Sequence, residues 1–266
     1  MAERDSYPNG TPSWIDLGAP DPDTAAAFYG ALFGWEVTAP TGGDGDIGDI
    51  GAYRMCLLKG RPVAGIAPAQ VPDAAPWWTT YVTVADADAA AKAVEAAGGE
   101  TLVEPWDIRD LGRMAAFVDP GGAAFSVWQP NQHHGSGLAN EPGALTWNEL
   151  TVRDLDTTIP FYGAVFGWVA EQTDMGEGRL YTTWKLSADG TGIAGAMPMV
   201  GDQWPADLPD HWLVYFAVED CDAALARVIE LGGTAATQPM DVPNVGRFAV
   251  VKGPQGEVFA ILADPS

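Results

Sequence analysis

The chain has 266 residues, room for two domains of roughly 120–130 residues each, and at 47% hydrophobic content it should bury sizeable cores. With 36 acidic against 13 basic residues its net charge is −23, a field that repels phosphate backbones and anionic lipid and speaks against a nucleic-acid or membrane role. The two cysteines, Cys56 and Cys221, amount to neither a disulfide framework nor a thiolate metal cluster.

The first residues lack the apolar stretch of a signal peptide, and no apolar run approaches the ~18 residues of a membrane span, so a cytoplasmic location is expected. Residues 14–17 read as a short strand. Asp21 and Pro22 then supply a helix N-cap followed by proline at the first helical position. Phe28, Tyr29, Leu32 and Phe33 form a helical stripe, and Gly34 ends it. Strands follow at 53–58 and 62–67, and a Pro/Ala/Asp stretch over 68–76 separates them from a second round. There 79–84 reads as a strand and 86–97 as an Ala-rich helix stopped by Gly98 and Gly99. Strands at 114–118 and 124–128 are joined by a turn at 119–122, marked by Asp-Pro-Gly-Gly.

The chain then repeats itself. Phe28, Tyr29, Gly30, Phe33, Gly34 and Trp35 return 133 residues later as Phe161, Tyr162, Gly163, Phe166, Gly167 and Trp168. Gly98, Gly99, Asp107, Gly112, Arg113, Pro120 and Phe125 return after 134 residues, as Gly232, Gly233, Asp241, Gly246, Arg247, Pro254 and Phe259. A period this long exceeds any solenoid repeat and has the size of one folding unit. The domains are therefore placed at 11–130 and 145–266, with 131–144 as a polar, Gly-rich linker.

The two motif sets, Asp21 to Trp35 with Arg113 to Phe125 and their copies from Asp154 and Arg247, resemble the vicinal oxygen chelate superfamily. This is the glyoxalase, bleomycin-resistance and extradiol-dioxygenase group, and the likeness is nearest to its fused two-domain, glyoxylase-like or hydroxylase-type members. The resemblance implies an α+β fold of four βαβββ modules, forming two curled mixed sheets with helices on the outside and an open cavity in each. It also implies a metal site at four strand positions per domain. Here those positions carry Trp14, Gly65, Thr79 and Ser126, then Trp147, Gly195, Leu213 and Ala260. None is a useful metal ligand, so no metal and no other cofactor is expected.

Strand alternation indicates what fills the cavities instead. Trp14 and Asp16 share a face, as do Trp147 and Glu149. Thr79, Tyr81, Ser126 and Trp128 join the first pair, and Leu213, Tyr215 and Ala260 the second. Tyr53, Tyr181 and Trp184 are candidate further walls. Trp35 and Trp168 read as core, and Arg113 and Arg247 as loop clamps, although either arginine is also a candidate partner for Asp16 or Glu149. The pair His133 and His134 reads as a solvated linker loop, and His211 as a residue at a cavity mouth.

Tryptophan is a flat, large-area stacking platform, and the chain has 11 of them. The favoured reading is a cavity protein that binds a hydrophobic aromatic small molecule, in natural-product or xenobiotic binding or resistance, as a monomer or homodimer. The alternative is a metal-independent enzyme in which Glu149 or Asp16 acts as acid or base in an isomerisation, cyclisation or hydration. A metal-dependent glyoxalase is the third reading, and the missing ligands oppose it.

Overall fold

The computed structural model describes residues 3–40, 52–70, 75–176, 178–202 and 204–265. The first half runs β1 (Pro12–Ala19), α1 (Pro22–Phe33), β2 (Glu36–Val37), β3 (Arg54–Leu58) and β4 (Arg61–Pro68), then β5 (Trp77–Thr83), α2 (Ala87–Ala96), β6 (Glu100–Ile108), β7 (Gly112–Val118) and β8 (Ala124–Pro130). The second half runs β9 (Leu145–Val152), α3 (Leu155–Phe166), β10 (Val169–Asp174), β11 (Leu180–Lys185) and β12 (Gly192–Pro198), then β13 (His211–Ala217), α4 (Cys221–Glu230), β14 (Thr234–Ala235), β15 (Met240–Val242), β16 (Gly246–Lys252) and β17 (Val258–Ala263).

The repeated motif makes the same helix twice. Asp21 accepts from the amides of Asp23 and Thr24, and Asp154 from those of Asp156 and Thr157, so each covers two of the free N–H groups that open a helix. Gly34 (φ 73°) and Gly167 (φ 72°) close α1 and α3 in the left-handed region, where a side chain would be strained.

Each half forms one open mixed sheet. The first has the order β2-β3-β4-β1-β5-β8-β7-β6, and the second β10-β11-β12-β9-β13-β17-β16-β14, with β15 also on β16. At the centre β1 lies parallel to β4 and antiparallel to β5, and β5 parallel to β8. This is the expected α+β architecture, with two tandem units of paired modules.

The helix-bearing faces carry the main cores, and those cores cross between halves. One gathers Ile15, Leu17, Phe28, Tyr29, Phe33, Trp35 and Trp78 with Val214, Phe216, Val228, Phe259 and Ile261. The other gathers Val82, Val94, Phe117, Phe125 and Val127 with Leu150, Phe161, Tyr162, Trp168, Trp184 and Trp212. Each FY tyrosine reaches the opposite half. Tyr29 Oη donates to Glu257 Oε1 (3.4 Å) and accepts from Trp78 Nε1 (3.1 Å). Tyr162 Oη donates to Asp119 Oδ2 (3.0 Å) and accepts from Trp212 Nε1 (3.1 Å). Trp35 Nε1 donates to the linker carbonyl of Gly143, and Trp168 Nε1 to that of Gly10, both at 2.7 Å.

Strand β6 was not expected from the sequence. Glu104 and Pro105 interrupt its alternation, and its pairing with β7 shifts register twice, at Thr101/Val103 and Val103/Trp106; irregularity of this kind belongs on an edge strand. Of the 68–76 stretch, residues 71–74 lie outside the described residues.

Candidate functional site

The sheet faces turned away from the helices each carry a second, smaller apolar cluster, termed a cup below. In the first, β1 sets Asp16 opposite Gly65 on β4 and Thr79 on β5, and Trp14 opposite Tyr81, which in turn pairs with Ser126 on β8. Trp14, Tyr81, Ile108 and Trp128 pack together, with Met55, Trp106, Leu111 and Met114 against them. A hydrogen-bonded chain ties the polar members. Trp14 Nε1 donates to Tyr53 Oη (2.9 Å), Tyr53 Oη lies 3.5 Å from Asp16 Oδ2, and Tyr81 Oη donates to the same oxygen at 2.9 Å.

The second cup repeats the chain. Trp147 Nε1 donates to Tyr181 Oη (3.0 Å), and Tyr215 Oη donates to Glu149 Oε1 (2.8 Å). Tyr181 also hydrogen-bonds Glu149. Leu213, Tyr215, Ala260 and Leu262 line it with Trp147, Phe248 and Val250. Glu149 is 8% exposed. His211 sits on the same face at the start of β13, opposite Thr151, with Nδ1 2.8 Å from the Pro209 carbonyl.

Burial pushes the Asp16 carboxyl up to about 6, against the opposing pull of its hydrogen bonds from Tyr81, Thr79 and Tyr53. Burial likewise raises Glu149, opposed by Tyr215 and Tyr181. A carboxyl that holds its proton more tightly in the folded chain loses folding stability as pH rises between its unfolded and folded values. For Asp16 that window is pH 4 to 6. Asp16→Asn keeps an acceptor for both phenols and removes the titration. Its stability relative to the native chain should therefore rise from pH 4 to 6 and stay level above, in urea titrations compared across that range. A difference independent of pH would contradict this placement of the charge.

Comparison with known proteins gives the family. The glyoxalase/bleomycin resistance protein/dioxygenase superfamily matches residues 11–127 and again 144–261. The chain belongs to this superfamily. It is 41% identical over 272 residues to a Mycobacterium tuberculosis protein named "Putative glyoxylase CFP32", covering 98% of both chains. It is 37% identical over 270 residues to anthracycline biosynthesis protein DnrV of Streptomyces peucetius, covering 95% of this chain and 93% of that one. Among solved structures, the Mn(II)-bound glyoxalase of Novosphingobium aromaticivorans superposes with a TM-score of 0.64 at 18% identity, over 99% of this chain and 83% of that one. The catechol dioxygenase BphC superposes at 0.61 and 13% identity, over 96% and 87%. Both structures share the fold.

The superfamily's four metal positions do not fit a metal here. They bear Trp14, Gly65, Thr79 and Ser126, and the space above Gly65 is taken. A Cβ at residue 65 would stand 1.8 Å from Tyr53 Oη, and one at Gly195 would stand 2.0 Å from Tyr181 Oη. In each cup a phenol thus lies where a metal-binding side chain would project. One carboxylate remains per cup, and among the described residues no three His, Cys, Asp or Glu side chains converge.

Two expectations need correction, and one alternative is settled. Trp184 is not a cup wall: it is fully buried against Tyr162, Trp168 and Trp212. It lies three residues from Tyr181 on β11, and odd separations on a strand point to opposite faces. His133 is no solvated loop residue, since its ring centroid sits 4.4 Å from that of Trp14 and 5.7 Å from that of Trp128. Arg113 and Arg247 are the loop clamps expected, and only the alternative that pairs them with the cup acids falls. Arg113 clamps Asp88 and Asp107, and Arg247 clamps Asp222 and Asp241, at 2.7–3.1 Å.

Proposed function

We propose that this protein binds a planar aromatic small molecule in its cups without a divalent metal. The observation that carries the reading is the repeated Trp–Tyr–carboxyl–Tyr chain, with a phenol above the glycine at a metal position. It leaves aromatic walls and a protonatable group where relatives of this fold hold an ion. Indole and phenol faces gain dispersion and area on stacking with flat ligands. The relative named for anthracycline biosynthesis accords with this, anthracyclines being polycyclic aromatic compounds. Sequestering or carrying such a compound, as a monomer or homodimer in the cytoplasm, is the role we assign. The strongly negative surface makes nucleic acid and anionic membranes poor partners. Titration with a flat aromatic probe should quench tryptophan emission saturably. Trp14→Ala and Trp147→Ala should each weaken binding at their own cup by roughly 1–3 kcal/mol while circular dichroism stays native. Unchanged affinity in both variants would remove the cups from the binding surface.

A second reading is favoured by the raised carboxyls: Glu149 or Asp16 as acid or base in a metal-independent isomerisation, cyclisation or hydration. Glu149→Gln separates the two. For a binder the change is nearly neutral. For an enzyme it cuts turnover of the bound compound by on the order of 100-fold.

A further inference from the structure

The two cups differ in a way that bears on what the first one holds. Where the first carries Trp106 and Trp128, the equivalent positions of the second carry Met240 and Leu262. The linker also adds His133 to the first cup. Its ring meets Trp14 and Trp128 edge-on, its carbonyl accepts from Trp128 Nε1 at 2.8 Å, and its amide donates to the Leu111 carbonyl at 3.0 Å.

Two polar atoms of this assembly are buried with no hydrogen-bond partner: Trp106 Nε1 and His133 Nε2. Among the hydrophobic residues that line the second cup, none leaves such an atom. Buried donors are almost always paired, because an unpaired one forfeits its bond to water and receives nothing in return. An indole N–H only donates, so its missing partner is an acceptor. A carboxylate would meet the neighbouring Asp16 and a chain of net charge −23. A hydroxyl oxygen accepts from the indole as well, with its own hydrogen directed to His133 Nε2 when that nitrogen is bare. A neutral oxygen acceptor, carbonyl or hydroxyl, on a flat ring that itself fits among indoles meets the need of the indole donor without adding charge.

We infer that the first cup selects a planar aromatic compound bearing a neutral oxygen acceptor, with Trp106 Nε1 donating to that oxygen and His133 Nε2 as the second polar partner. The second cup, whose hydrophobic lining leaves no unpaired donor, makes no such demand. This rests on the proposed aromatic-binding role of the cups. Met55 and Met114, thioethers with several accessible rotamers, pack against this cluster and are the side chains suited to give way to such a ring. Burial depresses the His133 imidazole to about 4, so near neutrality the ring is uncharged and offers one donor and one acceptor nitrogen.

The test compares 9-fluorenone with fluorene, which has the same ring skeleton without the oxygen, by equilibrium dialysis on the full chain. The native protein should bind 9-fluorenone about 10-fold more tightly than fluorene, the worth of a recovered hydrogen bond to a buried donor. Trp106→Phe keeps an aromatic ring and removes the N–H. It should cost 9-fluorenone about 5–10-fold and leave fluorene within about twofold. His133→Phe, read in parallel, covers the case in which Trp106→Phe fails to fold, and should narrow the same preference. Equal affinity for the two compounds, or a preference untouched by both substitutions, overturns this inference alone. Binding of neither compound overturns it together with the aromatic-binding role beneath it.

Discussion

Residues 1–130 and 131–266, produced as separate chains, will fail to fold, and the intact protein will unfold in a single transition. The duplication suggests two independent domains, but the cores contradict independence. Helix α1 shares its apolar cluster with Val214, Phe216, Val228, Phe259 and Ile261 of the other half, all fully buried. Burying a side chain of this size contributes about 1.5–3 kcal/mol, so exposing five removes roughly 10 kcal/mol, comparable with the entire stability of an ordinary domain. The second cluster is crossed in the same way by Leu150, Phe161, Tyr162, Trp168 and Trp184. Calorimetry on the intact chain should give agreeing van't Hoff and calorimetric enthalpies. A half with dispersed amide resonances, or two resolved transitions, would contradict the shared cores.

The second large effect falls on the FY tyrosines. Tyr162→Phe strips Trp212 Nε1 of its acceptor and Asp119 of a donor, while Tyr29→Phe does the same to Trp78 Nε1 and Glu257. Both tyrosines are fully buried, so the stranded groups gain no water. Each substitution should cost about 2–3 kcal/mol and lower Tm by roughly 4–10 °C, and the double variant should lose more than either. Urea titrations of the three variants measure this. Losses under about 0.5 kcal/mol would mean that the motif tyrosines matter only through their rings.

These two results mark where reading the sequence succeeds and where it stops. The helices of the FY motif, their aspartate caps and glycine ends are local chemistry and were legible. So was the face shared by Trp14 and Asp16, because β1 and β5 keep a regular period of two from Trp14 onward. The same period sets Trp184 on the opposite face of β11 from Tyr181, inside the core. Trp106 was missed because β6 is bulged and carries a proline, so it has no periodicity to read. His133 sits in a Gly-rich segment whose composition gives no hint that it packs on Trp14. The partners of Tyr29 and Tyr162 lie 228 and 43 residues away in the opposite half. No pattern within one repeat announces them, since the repeat is also what a self-contained domain would look like. The metal positions were legible as residue types, whereas the phenols that occupy the space above Gly65 and Gly195 were visible only in three dimensions.

The central claim is that the cups take a planar aromatic ligand with no metal in between. The most direct measurement is a tryptophan-emission titration of chelator-treated, metal-free protein with 9-fluorenone, repeated with Mn(II), Ni(II) or Zn(II) added. The account predicts saturable quenching with the same midpoint in every case, and no stoichiometric metal retained after dialysis. Binding that appears only with added metal, at near one ion per cup and reversed by EDTA, would contradict it.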